Sequence, residues 1–166
     1  FVDGTLTIMI GGERDAIEVA RPILGAMSGR AFEVGGPGNG HAMKCLNNYV
    51  ASTAFVACSE ALAVGERFGL DPTTMFDVMN VSTARCFNTE VVMKQHVVDG
   101  EFATGFALGL MAKDVGIADS LAASMDADSP LADLVAERLA AAREALGAGV
   151  DHTCAHQFWH GDRAGG

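Results

Sequence analysis

Apolar and polar positions alternate along this chain in two distinct rhythms, one short and strand-like, the other long and helical. Thr5 to Ile10 (TLTIMI) mixes threonine with large apolar groups and stops at Gly11-Gly12, as a strand followed by a turn does. Glu13 to Met27 then reads as a helix, and Ala31 to Val34 as a second short extended run. Strand, helix, strand is one βαβ-like unit, too small to bury a core of its own. Residues 1–36 are therefore expected to be the end of a larger α/β domain.

After Gly35-Gly36-Pro37-Gly38-Asn39-Gly40 the rhythm changes, and residues 37–166 read as all-helical. A long helix is expected from about His41 to Phe68, ended by Gly69. Asp71-Pro72 supplies a cap and a proline at the first helical position of a shorter helix reaching about Met79. Asn80 to Phe87 is polar and irregular. Phe106 to Met125 is periodic again, and Phe106, Leu110, Ile117 and Leu121 fit a helix with one buried face. Pro130 opens a helix to about Leu146, stopped by Gly147 and Gly149, and Asp151 is expected to cap a last short one. The fold class is mostly α, a helical bundle preceded by a short βαβ piece.

Composition agrees with close-packed helices: 49% of residues are hydrophobic and only 7% aromatic. The formal net charge of −10 leaves no basic stripe for phosphates, which argues against nucleic acid and anionic membranes as partners. Any anionic ligand must be held by local positive groups. Cys45, Cys58, Cys86 and Cys154 show no CxxC spacing and read as reduced intracellular thiols. The apolar stretch from Ala42 to Val64 is interrupted by Lys44, Asn47, Asn48 and Glu60, so a soluble chain is expected. Because the sequence starts at Phe1 rather than methionine, a preceding segment is expected; the cytoplasm is the expected compartment, with the mitochondrion open.

Several residues invite chemistry. The run Gly36-Pro37-Gly38-Asn39-Gly40 lies between a strand and a helix, where backbone N–H groups could meet a pyrophosphate, but its spacing departs from G-x-G-x-x-G. An interdomain turn is the simpler reading. Lys44 stands four residues before Asn48, so the two share a helix face near the helix start, where an amide can orient an amine suited to proton transfer. A solvated lysine beside a polar amide is the plain alternative. Lys113-Asp114 interrupts an apolar helix, as a solvated edge or as a charged pair facing a cleft. His156 and His160 have the i, i+4 spacing of metal ligands, yet no second ligand cluster accompanies them, and no metal is expected.

Taken in order, these segments resemble the 3-hydroxyisobutyrate dehydrogenase group of β-hydroxyacid dehydrogenases. The resemblance rests on Gly4 to Gly12 (GTLTIMIGG), Gly38 to Asn48 (GNGHAMKCLNN), Asn80 to Phe87 (NVSTARCF) and Gly105 to Asp114 (GFALGLMAKD). It covers nearly the whole chain. It implies a helical domain like the C-terminal one of 6-phosphogluconate dehydrogenase, behind the last part of a Rossmann domain. It implies oxidation of a β-hydroxy acid to its semialdehyde with NAD or NADP, 3-hydroxyisobutyrate being the first choice of substrate. Lys44 matches the family's catalytic lysine; Asn48, Asn47, Gly40 and Phe87 fall at substrate-binding positions; Lys113, Asp114 and Phe106 fall on the cofactor side. A homo-oligomer, dimer or tetramer, is implied as well. The family's G-x-G-x-x-G fingerprint and its serine-glycine loop would lie upstream of Thr5, so the 166 residues alone are expected to turn over little. Tartronate semialdehyde, a succinic semialdehyde relative, L-serine or an imine are the alternative substrates, and a non-catalytic helical dimerisation module is the alternative from another class.

Overall fold

The structure, a computed structural model, describes residues 6–161. The chain divides into two compact units, Phe1–Asn47 and Asn48–Gly166. Helix α2 contributes its first residues to the former and the rest to the latter.

In the first unit, strand β1 (Leu6–Ile10) is followed by helix α1 (Arg14–Met27) and strand β2 (Ser28–Glu33), and the two strands pair in parallel. The expected βαβ unit is thus present; Thr5, the expected start of its first strand, lies outside the described residues. The second strand begins at Ser28 instead of Ala31, because α1 passes into it without a loop. Parallel pairing demands such a crossover helix. Helix α1 buries Ile17 and carries Pro22 in its interior, while Val19 and Ile23 on the same helix are exposed. Arg21 joins helix to strand by pairing with Glu18 at 2.7 Å and with Glu33.

Helix α2 (Asn39–Phe68) begins two residues earlier than the sequence suggests. The amide of Asn39 bonds back to the carbonyl of Val34 at 3.0 Å, which settles the turn after β2. At its far end Gly69, at φ +95°, adopts a conformation that side chains resist, and the helix stops there as expected.

The second unit has a continuous core. Phe55 of α2, Phe76 of α3 (Pro72–Asn80), Met93, Leu108 and Val115 of α4 (Leu108–Ser124), and Val135 and Leu139 of α5 (Pro130–Leu146) are all fully buried. Asp71 caps α3 by accepting from the Thr74 N–H at 2.8 Å, and Pro72 follows at the first helical turn, as the sequence predicts. The irregular stretch gives way at Asn88 to a π-helix, Asn88–Val98, which sequence periodicity did not reveal. A π-helix closes its hydrogen bonds one residue later than an α-helix, so apolar positions lose the 3.6-residue rhythm.

One expectation about α4 is corrected. Its buried residues are Leu108, Met111, Ala112, Val115 and Ala118, whereas Leu110 and Ile117 are 49% and 46% exposed. Helix α4 is apolar nearly all round, so periodicity alone did not choose its inner face. The choice is made at its start: the N–H groups of Leu108 and Gly109 donate to the carbonyls of Val150 and Ala148 at 2.8 and 2.9 Å. These bonds satisfy the first turn without a side-chain cap and set the rotation of the helix. Only glycine fits at 109, since a Cβ there would lie 2.7 Å from the Cβ of Ala148.

The last helix, α6 (Cys154–His160), starts after Thr153 rather than at the expected cap Asp151. Asp151 instead accepts from the Thr153 N–H at 3.0 Å and the Thr104 hydroxyl at 2.8 Å, tying the segment ahead of α4 to the segment ahead of α6. Burial works to raise this carboxyl, but the hydrogen bonds from Thr153, Thr104 and Gly105 outweigh it and hold it below the usual range.

His156 fastens α6 to α2 through the Ser59 hydroxyl, 2.7 Å from its Nδ1. Burial, and then the neighbouring His160, push this imidazole down to about 4. The folded chain therefore holds His156 neutral while the unfolded chain protonates near 6.5. Stability from this group is complete above pH 6.5 and is lost as pH falls towards 4. After a discount for residual solvent contact, the loss should be about 2 kcal/mol. Denaturant unfolding at stepped pH should show a steeper slope in the parent chain than in His156→Asn, where His152 and His160, also held down by burial, still contribute; equal slopes would refute the assignment.

Among the described residues, no group of three or more histidine, cysteine or acidic side chains could hold a metal, and no helix is long and apolar enough to cross a membrane.

Candidate active site

Two groups of side chains stand out, one in each unit. In the first unit, the end of β1 approaches the start of α2 so closely that backbone meets backbone. A Cβ on Gly40 would lie 2.6 Å from the Met9 carbonyl oxygen, and one on Gly11 would lie 2.6 Å from the Gly40 nitrogen. Glycine at both positions is what lets the helix begin there. An open cleft of about 420 Å³ follows, lined by Thr7 to Gly11, Leu24, Gly40, His41 and Lys44.

Lys44 thus stands one turn into α2 and, with His41, lines a cleft whose walls mix polar and apolar surface. The start of a helix carries partial positive charge, which favours anionic groups nearby. The arrangement suits a small anionic molecule with a proton to give or take. Gly40→Ala should cost about 1–3 kcal/mol, because the helix start must back away from β1. Thermal unfolding would measure it, and an unchanged midpoint would show that the backbone gives way freely.

In the second unit, Asn48 and Asp114 meet across α2 and α4. The Asn48 amide donates to Asp114 Oδ2 at 2.6 Å, and Lys113 Nζ lies 3.1 Å from Oδ1 of the same carboxylate. Asp114 is largely sheltered while Lys113 is mostly exposed. One carboxylate thereby fixes both the amide and the ammonium, and holds two helices in register. Asp114→Ala should lower stability by about 1–2 kcal/mol; a denaturant midpoint indistinguishable from the parent would count against this role.

The remaining candidates are dispersed. Asn47 sits on α2 beside Asn48. Phe87 is 66% exposed, directly ahead of the π-helix. Phe106 packs inward, its ring 5.9 Å from that of His152, and its carbonyl accepts from the His152 N–H at 2.9 Å. Two residues not read from sequence as part of the site help to place these: Asn88 donates to the Ala51 carbonyl of α2 at 2.9 Å, immediately after Phe87, and Asp151, expected only as a helix cap, anchors the turn that carries Phe106. The signal for Asp151 was its D-x-T spacing to Thr153, which forms a local turn as readily as a helix cap. Nothing in the sequence marks Asn88 apart from its place beside Phe87.

Comparison with known proteins places the chain in a family. Residues 38–159 match the family model described as NAD-binding of NADP-dependent 3-hydroxyisobutyrate dehydrogenase, which covers well over half of the chain. A mitochondrial protein of Arabidopsis thaliana named as a probable 3-hydroxyisobutyrate dehydrogenase is 40% identical over 134 residues, 77% of this chain and 39% of its own length. The 2-(hydroxymethyl)glutarate dehydrogenase of Eubacterium barkeri is 36% identical over 128 residues, 77% of this chain and 42% of its own. The solved structure of the Mycobacterium tuberculosis 3-hydroxyisobutyrate dehydrogenase with L-serine superposes with a TM-score of 0.81 at 29% identity, covering 94% of this chain and 55% of that one. The chain spans about two fifths of the length of the curated relatives it matches. On the family-model match and the 40% identity together, this chain belongs to the 3-hydroxyisobutyrate dehydrogenase family.

Proposed function

We propose that this chain carries the catalytic lysine and substrate-holding residues of an NAD(P)-dependent dehydrogenase that oxidises a β-hydroxy acid to its semialdehyde, with 3-hydroxyisobutyrate as the preferred substrate. The observation that carries this reading is Lys44, one turn into α2 on a cleft bounded by the end of β1, in a chain of this family. The nicotinamide cofactor, when bound, supplies the hydride acceptor.

The chain's own residues supply the rest. The Lys44 amine takes the proton of the substrate hydroxyl as the carbonyl forms, and returns it in the reverse direction. Gly40 leaves room for a small acid beside that amine. Asn48, held by Asp114 in a fixed orientation, helps to orient the substrate, and Asn47 adjoins it. Lys113, exposed and paired through its ammonium with Asp114, offers positive charge on the cofactor side, where Phe106 is also assigned. The donor set fits the group: one amine for proton exchange and a second cation for an anionic partner.

Residues 1–36 are read here as the end of a Rossmann-type domain and residues 37–166 as the helical catalytic domain, assembled as a homodimer or tetramer in the cytoplasm or mitochondrion. The test is a substrate panel with a protein in which these 166 residues accompany a nucleotide-binding domain. Oxidation of 3-hydroxyisobutyrate, L-serine and 2-(hydroxymethyl)glutarate would be followed by nicotinamide absorbance with NAD and NADP. A kcat/KM for 3-hydroxyisobutyrate at least tenfold above the others supports the reading. A higher value for L-serine would change the substrate, and no oxidation of any would sink the assignment in favour of a non-catalytic dimerisation module.

A further inference from the structure

We propose that Cys58 and Cys86 form an intramolecular disulfide on exposure to a low-molecular-weight disulfide such as oxidised glutathione, fastening the segment before the π-helix to helix α2. Cys58 and Cys86 are both thiols, not disulfide-bonded, in the structure. Cys58 lies on α2 seven residues after Ala51, two turns along the same helix face. The Ala51 carbonyl accepts from the Asn88 amide at 2.9 Å, which holds the 86–89 turn against that face. Within that turn Cys86 is fixed at both ends of its peptide units. Its N–H donates to Thr89 Oγ1 at 2.9 Å, and its carbonyl accepts from the Thr89 hydroxyl at 2.9 Å and from the Glu90 N–H at 3.0 Å.

The Cys86 side chain, so held, interacts directly with that of Cys58. Both residues are half-buried, so one thiol can meet a small oxidant while the other waits behind it. Cys45 and Cys154 are placed elsewhere, on the early part of α2 and on α6.

The chemistry balances without any group from the protein beyond these two thiols. The Cys86 thiolate attacks one sulfur of oxidised glutathione, forming a mixed disulfide and releasing one glutathione thiolate. The Cys58 thiolate then attacks the Cys86 sulfur, forming the protein disulfide and expelling the second glutathione. The protein gives up two electrons and two protons, and the oxidant leaves as two glutathione thiols. In the dithiol, burial and then the Cys86 thiol beside it push the Cys58 thiol up to about 12; burial still raises it once Cys86 carries glutathione, so the second step is the slow one at neutral pH. It should quicken by roughly tenfold per pH unit in the alkaline range, as the thiolate fraction rises.

The experiment incubates the full chain with oxidised glutathione at mildly alkaline pH, blocks remaining thiols, and maps peptides without reduction. The expected result is an intact mass lower by two hydrogen atoms and a single cross-linked peptide pair containing Cys58 and Cys86. In Cys58→Ser the reaction should stop at one glutathionyl group on Cys86. A parent chain that ends with Cys86 glutathionylated and Cys58 free, one that does not react, or a cross-link that includes Cys45 or Cys154, would overturn the proposal. The readout is covalent, so it stands apart from the outcome of the substrate panel.

Discussion

Lys44→Ala, in a protein that joins these residues to a nucleotide-binding domain, should lower kcat/KM for the hydroxy acid by about 10²- to 10⁴-fold. The reason lies in what the substitution removes. A hydroxyl cannot become a carbonyl unless its proton leaves with the hydride, and the proposed acceptor in the cleft is the Lys44 amine. Binding should suffer less than turnover, because Gly40 and the end of β1 keep the shape of the cleft and the Asn48–Asp114 pair stays in place. The loss should therefore fall mainly in kcat. Lys44→Arg separates charge from proton exchange, since a guanidinium keeps the positive charge but does not give up its proton near neutrality. It should be nearly as inactive as the alanine variant. Steady-state kinetics beside circular dichroism would decide: a folded Lys44→Ala protein within tenfold of the parent would remove the lysine from the mechanism.

Phe55→Ala should cost about 3–5 kcal/mol, the largest stability loss expected from any single substitution in the second unit. Its ring is fully buried, with the His152 ring edge-on at 5.0 Å and the Trp159 ring at 5.9 Å. Those contacts bring the long helix, the segment before α6 and α6 itself to one point. Truncation would leave a cavity where these three pieces of chain meet, and their remaining contacts, such as the His156–Ser59 bond, would not fill it. Thermal or chemical unfolding measures the effect, and a loss below about 1 kcal/mol would mean that α6 and its neighbours collapse into the space. Phe55→Leu, which keeps most of the volume, should recover more than half of the stability.

Much of this was legible in the sequence, for reasons that differ by element. Asp71-Pro72 and Gly69 carry their instructions locally, one as a cap with a proline that fits the first turn, the other as a residue tolerant of positive φ, so a helix end could be read from them directly. The parallel βαβ unit was legible because threonine-rich and apolar runs flank a strongly amphipathic segment. The inner face of α4 was not, because Leu110 and Ile117 are as apolar as Met111 and Val115, and the deciding bonds come from Ala148 and Val150, some forty residues away. The π-helix was hidden for a related reason: its spacing matches neither of the two periods by which elements are recognised.

The candidate site divides in the same way. Lys44, Asn48 and the Lys113-Asp114 pair were found because order and spacing in the sequence resemble a family, while each match alone had a plain alternative. The structure adds what a sequence cannot carry, the 2.6 Å bond that joins residues 48 and 114 and the backbone approach that requires Gly11 and Gly40. Asn88 escaped notice because its task is to bond a carbonyl on another helix, and one asparagine looks like any other until that carbonyl is placed.

The π-helix, Asn88–Val98, also bears on how this segment tolerates changes in length. A surface loop can gain or lose a residue by bulging. Here every added or missing residue turns the following side chains about the helix axis, so a deletion that restored ordinary α-helical spacing would swing Val97 out of the core while Asn88 stayed pinned to α2. Among natural variants, insertions and deletions should therefore gather in the stretch from Asp99 to Thr104, beyond the last buried valine, and spare the eleven residues before it.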